Sequence, residues 1–289
     1  MEFLFVIALL PVVLLLSYIY KKDVDKEPRA LLTKLFIFGG LSVIPVAIME
    51  IAIGNACPTN NLPTFTGTFL AVFVVIALVE EIGKWLFLYI CTYRRREYNH
   101  AYDGIVYAVF VSLGFAAVEN VLYVVQSGVA TGLFRAVTAV PGHAVDAVFM
   151  GYFYSKSKQE LVNKNNSKSL MYLLLSVLVP AITHTIYDTI IIHYTSVLDI
   201  IYILYFFAFV IASYILAVAL VKKYAKLSTN FDGSPCVDTA FNKKPYVVNN
   251  NTVAYTPAPT PIVRHSYCPM CGGIVENNKC TVCGFVTKQ

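Results

Sequence analysis

Two adjacent carboxylates and an amine, Glu80, Glu81 and Lys84, sit inside an apolar run over residues 68–90. Glu119, His143, Asp146, His184 and Asp188 lie in other apolar runs of the same chain. Carboxylates and imidazoles move protons near neutral pH, activate water and hold metals. A charge at the centre of a bilayer costs at least ~2.5–3.5 kcal/mol. Such residues mark a functional site by default, because packing alone does not call for them.

Spacing sharpens the picture. Glu80 and Lys84 are i,i+4, so they share a helix face and can pair. Glu81 lies about 100° round the helix, free to hold a water. His143 and Asp146 are i,i+3, and His184 and Asp188 are i,i+4. An Asp one turn from a His can fix its tautomer or share a ligand with it. Gly114 and Gly142 are small residues where helices can approach. Pro141 and Pro180 predict kinks just before His143 and His184. Glu50 reads as an interhelical hydrogen bond, and Asp103 and Arg135 as boundary residues.

These residues need helices to hold them. The chain has 289 residues, of which 57% are hydrophobic and only 13% charged. Soluble domains carry about 25% charged residues. Seven apolar runs reach spanning length: residues 3–20, 31–53, 68–90, 102–125, 135–154, 170–193 and 200–221. A transmembrane helix needs about 20 residues. A β-barrel would alternate apolar and polar positions, and these runs do not. The expected fold is therefore an all-α polytopic membrane protein of about seven transmembrane helices.

Lys and Arg crowd alternate loops: Lys21, Lys22, Lys26 and Arg29; Arg94, Arg95 and Arg96; Lys156, Lys158, Lys164 and Lys168; and Lys222, Lys223 and Lys226. The positive-inside rule then puts the N-terminus outside and the C-terminus in the cytoplasm of a plasma membrane. The net charge of +5 faces anionic lipid rather than nucleic acid. The first run reads as an N-out signal-anchor, since its positive flank follows it. At 1.5 Å per residue, Glu80 and Glu81 lie about 18–20 Å below the outer edge, Glu119 about 9 Å and His143 about 12 Å. Asp146 follows at about 16 Å, His184 at about 13 Å and Asp188 at about 8 Å. The polar groups fall in one slab, as a shared water-filled cavity requires.

Three regions follow: a membrane domain at 1–226, a polar and Pro-rich linker at 227–266, and a tail at 267–289. The tail carries Cys268, Cys271, Cys280 and Cys283 as two C-x-x-C-G knuckles. Two knuckles supply a tetrahedral Cys₄ set for structural zinc, the pattern of a small zinc ribbon. Disulfides are the alternative, but a cytoplasmic tail is in a reducing compartment. Cys57, Cys91 and Cys236 have no partner at useful spacing. The ribbon has no dense basic patch, so a cytoplasmic protein partner is expected there before nucleic acid.

Four strings occur in order: Glu80-Glu81-Ile-Gly-Lys84, Phe115-Ala-Ala-Val-Glu119-Asn120, Pro141-Gly-His143-Ala144 and His184-Thr-Ile-Tyr-Asp188. With them the chain, over residues 1–225, resembles the PrsW family of intramembrane glutamic-type proteases, within the wider group that includes the CAAX prenyl proteases. CAAX-type relatives carry His where this chain has Glu119, so their site does not transfer whole. The zinc ribbon lies outside the shared domain. The resemblance implies hydrolysis of peptide bonds in membrane-anchored substrates, anti-sigma factors among them.

The residues allow that chemistry. Glu80 or Glu81 would activate water as general base. His143 and His184 would stabilise the oxyanion. Glu119, Asp146 and Asp188 would orient water and imidazoles, and Lys84 would balance charge. Two His and a Glu also form a zinc hydrolase set. With no H-E-x-x-H string in the chain, the metal-free glutamate route is the preferred reading of the two. A proton- or ion-coupled transporter also uses buried Asp, Glu and His, although no inverted repeat is evident. A scaffold that recruits partners through its tail is the non-enzymatic alternative.

Overall fold

A computed structural model describes residues 2–56, 64–197, 200–227 and 229–234, with residues 266–267, 274–276 and 279–280 near the C-terminus. Its helices are α1 (Glu2–Lys22), α2 (Arg29–Ala56), α3 (Phe65–Val72), α4 (Leu78–Thr92), α5 (Asp103–Val137), α6 (Ala139–Val162), α7 (Asn166–Val197) and α8 (Ile200–Tyr224). Six stretches among the described residues are long and apolar enough to cross a membrane. One of them, Asp103–Val162, is 60 residues long and holds both the fourth and the fifth expected runs.

That long stretch turns back on itself at Gly128, where φ is 81° and ψ is −170°. A side chain would be strained in this conformation, which glycine adopts freely. Contacts on either side pair the two arms antiparallel: Gly104 with Gly151, Ser112 with the His143 carbonyl and Asn120 with Arg135. The sequence reading placed a loop near 126–134 and began the fifth span at 135. Helix instead resumes directly after Gly128, so Arg135 lies well inside the span. His143 is 15 residues past the turn, about 22 Å of helical rise rather than about 12 Å.

Pro141 interrupts this second arm. It has no N–H to offer the Val137 carbonyl. The backbone breaks at Thr138, with φ −120° and ψ −67°. The Tyr214 hydroxyl of α8 donates to the Val137 and Thr138 carbonyls at 3.1 and 3.0 Å. The Tyr187 hydroxyl donates to Thr138 Oγ1 at 2.9 Å. By contrast α7 runs through Pro180 without a break.

The third apolar run is one span in three pieces. Thr64 caps α3, its side chain accepting from the Gly67 N–H at 3.1 Å. A π-helical turn, Phe73–Ala77, then joins α3 to α4. Such a turn re-phases the helix after it and is frequent at functional sites. Beyond it Glu80, Glu81 and Lys84 are buried, while Ile82, Leu86 and Ile90 face outward.

The core centres on α5, whose first half is buried nearly all round. A helix apolar on every face needs that setting. It packs on α6, α2 and α1, and α7 covers α6. The α2–α5 crossing is close enough to exclude side chains: a Cβ on Gly39 would meet Val111 O at 1.9 Å, and one on Gly114 would meet Phe36 O at 2.0 Å. Gly142 makes no such contact, since a Cβ there would meet open space. Outward faces carry Ile44, Ile48, Leu204, Ile211 and Ile215, an apolar surface suited to lipid.

The loops rich in Lys and Arg gather at one end of the bundle. There Tyr102 OH donates to Ile19 O at 3.1 Å, Lys158 to Tyr93 O at 2.8 Å, and Phe231 N to Asn99 O at 2.8 Å. Residues after α8, read above as the start of the linker, thus pack back on this end. Asp23 and Glu27 are buried there beside Tyr107, whose hydroxyl donates to Glu27. Burial pushes the Asp23 carboxyl up to about 7 and the Glu27 carboxyl up to about 8.

Near the C-terminus three short strands, β1 (Ser266–Tyr267), β2 (Ile274–Glu276) and β3 (Lys279–Cys280), pair antiparallel in the order β1-β2-β3. Cys57, Cys236, Cys268, Cys271 and Cys283 lie outside the described residues, as does the Cys280 side chain. Cys91 is a buried free thiol.

Candidate active site

Lys84 is the hub. Its fully buried ammonium lies 2.7 Å from Glu81 Oε1, 3.0 Å from Glu80 Oε2 and 3.3 Å from His143 Nδ1. It also stands 4.5 Å over the Phe115 ring, whose negative face attracts a cation. The expected Glu80–Lys84 pair is present. Glu81 turns its Oε1 to both Lys84 and His184 Nδ1, the latter at 3.0 Å. Its other oxygen is buried without a hydrogen-bond partner.

An ammonium has only hydrogens to give, so His143 Nδ1 accepts from it. The ring proton is then on Nε2, which donates to Glu119 Oε2 at 2.7 Å. Helical side chains lean toward their own N-terminus. On two antiparallel arms the Glu119 and His143 side chains therefore lean toward each other and meet. The expected His143–Asp146 partnership does not form; Thr183 Oγ1 of α7 donates to Asp146 instead.

His184 turns both ring nitrogens to carboxylates, Nδ1 to Glu81 and Nε2 to Asp188 Oδ2 at 3.4 Å. That geometry suits hydrogens on both nitrogens. The expected His184–Asp188 pair is present. The two histidine rings stand edge to face with centroids 5.5 Å apart.

A cavity of about 320 Å³ opens onto this cluster. Glu80, Glu119, His143, Asp146, His184 and Asp188 line it, with Arg135, Tyr123, Tyr187 and Tyr214 farther round the wall. Glu81 and Lys84 are not among its lining residues. Four of the spans thus deliver polar groups to one place. Two three-residue groups bring ligand atoms within 4.8 Å of one another: Glu80, Glu81 and His184, and Glu80, Glu119 and His143. Glu80 is common to both. Five carboxylates share the region with two permanent cations, Lys84 and Arg135. Such a surplus of negative charge in a low dielectric favours a bound cation or proton.

Arg135 was missed. Read as a boundary residue, it sits 3.1 Å from Glu119 Oε1 and donates from Nε to Asn120 Oδ1 at 3.0 Å. The signal that could have found it is the run Val129–Ala130 and Leu133–Phe134, apolar residues that continue the span past Gly128. Glu50, read above as an interhelical hydrogen bond, is not among the cavity's lining residues, and its Oε1 is buried without a partner.

The profile described as PrsW family intramembrane metalloprotease matches residues 27–214. "Protease PrsW" of Oceanobacillus iheyensis is 37% identical over 186 residues, 64% of this chain and 81% of that one. Its counterpart in Shouchella clausii is 32% identical over 223 residues, 76% of this chain and 96% of its own. That of Bacillus subtilis is 34% identical over 179 residues, 62% and 78% of the two chains. No solved structure matches. The matched region holds every polar group of the cavity, and the chain belongs to the PrsW family of intramembrane metalloproteases, membrane-embedded peptidases.

Proposed function

We propose that the cavity hydrolyses a peptide bond of a membrane-anchored protein, within the bilayer or at its edge. The observation that carries this reading is the convergence of α4, α5, α6 and α7 on one lined cavity, with Glu80 as the α4 carboxylate on its wall. Glu80 takes a proton from water as the oxygen attacks the scissile carbonyl. The same proton passes to the leaving nitrogen as the C–N bond breaks. Glu81 stays behind the wall and holds Lys84 and His184 in place. His184 offers N–H groups to the developing oxyanion. Its longer contact, to Asp188, is the one that yields to substrate. His143 has its single N–H committed to Glu119, so its part is to shape the pocket rather than to bind the oxyanion. Lys84 offsets the adjacent carboxylates.

The family description implies a metal, and the donors fit one. The orphaned Glu81 Oε2 and the two groups that share Glu80 offer the oxygen and nitrogen ligands a zinc-like cation takes. Glu80 would hold it with Glu81 and His184, or with Glu119 and His143. When bound, such an ion supplies Lewis-acid polarisation and a more acidic water. The missing H-E-x-x-H string excludes nothing, because these donors come from different helices rather than from one.

The substrate class is a membrane-anchored regulatory protein of the anti-sigma-factor kind. The basic end faces the cytoplasm and the N-terminus lies outside. The linker carries a structural Cys₄ zinc ribbon that meets a cytoplasmic protein partner. The test uses purified protein in liposomes with a membrane-anchored test substrate. Glu80→Gln should slow cleavage by ~10²–10⁴-fold, and cleavage at the wild-type rate would remove Glu80 from the chemistry. Metal dependence is read in the same vesicles. Loss with a chelator and recovery with Zn²⁺ supports the held ion, whereas unchanged cleavage supports the glutamate-only route.

A further inference from the structure

We infer that Arg135 is a positioning residue for this hydrolysis, holding Glu119 and through it the ring of His143. The inference rests on the reading of the cavity as the hydrolytic centre. Arg135 belongs to none of the four motifs, yet its guanidinium bridges two neighbouring motif residues. Nη2 lies 3.1 Å from Glu119 Oε1, and Nε donates to Asn120 Oδ1 at 3.0 Å. Glu119 in turn receives the His143 Nε2 proton on its other oxygen at 2.7 Å. Each carboxylate oxygen thus faces one partner, Oε1 the Arg135 cation and Oε2 the His143 N–H.

The anchor behind Arg135 is rigid. Its guanidinium stacks 3.9 Å from the Tyr123 ring centroid. Asn120 Nδ2 donates to the carbonyl of Ala8, a fully buried residue of α1, at 2.9 Å. Gly132 lets the segment that carries Arg135 lie against Ile7 and Val124. The relay therefore runs from the α1 backbone through Asn120, Arg135 and Glu119 to His143, and on to Lys84. Nε and the flat face of Arg135 are engaged by Asn120 and Tyr123, and Nη2 faces Glu119 as an ion pair at the cavity wall. A lysine keeps the charge but not the fork that spans two acceptors.

The test is a double-mutant cycle on cleavage in liposomes, combining Arg135→Gln with Glu119→Gln. Arg135→Gln should lower kcat by about 10–100-fold, the usual effect of losing an orienting partner, with KM nearly unchanged. Arg135→Lys should recover part of the rate. In the Glu119→Gln background, Arg135→Gln should add little. Multiplying effects in the double variant, or a loss confined to KM, would overturn the inference. Glu119→Gln at the wild-type rate would overturn the underlying reading of the site instead. If Arg135→Gln fails to accumulate in membranes, Arg135→Lys carries the same cycle.

Discussion

Removing the amine of Lys84 is the sharpest probe of the hub. The ammonium is fully buried and touches Glu80, Glu81 and His143. Lys84→Met keeps the length and apolar stem but leaves two adjacent carboxylates without their cation. Removing one partner of a buried pair typically costs about 3–5 kcal/mol. At roughly 2–4 °C per kcal/mol for a domain of this size, the melting midpoint should fall by about 6–20 °C. Adding Glu81→Gln removes the stranded charge, so the double variant should melt above the single one. The assay is thermal unfolding of the detergent-solubilised protein by a thiol dye at Cys91 or by intrinsic fluorescence. A single variant that melts within about 2 °C of wild type, or a double variant less stable than the single, would refute the buried triad.

Three further outcomes follow from other parts of the molecule. Gly114→Ala puts a Cβ 2.0 Å from Phe36 O, so membrane-domain stability should drop by about 1–3 kcal/mol, read by the same melt; an unchanged midpoint would contradict the crossing. Asp23 and Glu27 rise from 3.8 and 4.5 to about 7 and about 8, so the stability they contribute is full below pH 4 and is lost as pH rises through 7 and 8. Hydrogen exchange over residues 20–28, corrected for intrinsic rates, should show weaker protection at pH 8.5 than at pH 5.5, and the reverse order would contradict the sign. Stripping metal from the full chain should release zinc held by thiolates of Cys268, Cys271, Cys280 and Cys283, counted by mass spectrometry, and a tail recovered with two disulfides and no zinc would oppose the ribbon.

Much of the site could be read from the chain because its pairs are local. Glu80–Lys84 and His184–Asp188 are one turn apart on single helices, and helical periodicity alone predicts that each shares a face. Contacts between helices were harder. His143 has an Asp one turn away, yet it pairs with Glu119, because an antiparallel neighbour brings that carboxylate closer than its own helix does. The angle between Glu81 and Glu80 says that they part company but not what Glu81 meets, and α7 brings His184 to that side. The Gly128 turn was hidden in a stretch of Ser, Gly and Thr that resembles a loop. The mistake moved the start of a span and took Arg135 out of the site. The Pro141 break was predicted near the right place; its cause, a carbonyl freed at Val137 and recovered by Tyr214, depends on a helix about 75 residues away and is invisible locally.

The most direct measurement is mass spectrometry of a membrane-anchored test substrate cleaved in proteoliposomes made in H₂¹⁸O. Wild-type protein should yield two fragments with one ¹⁸O in the new carboxyl terminus. The Glu80→Gln protein, inserted at equal level, should leave the substrate intact over the same time. Fragments without the label, or equal cleavage by Glu80→Gln, would contradict hydrolysis by a water activated at Glu80.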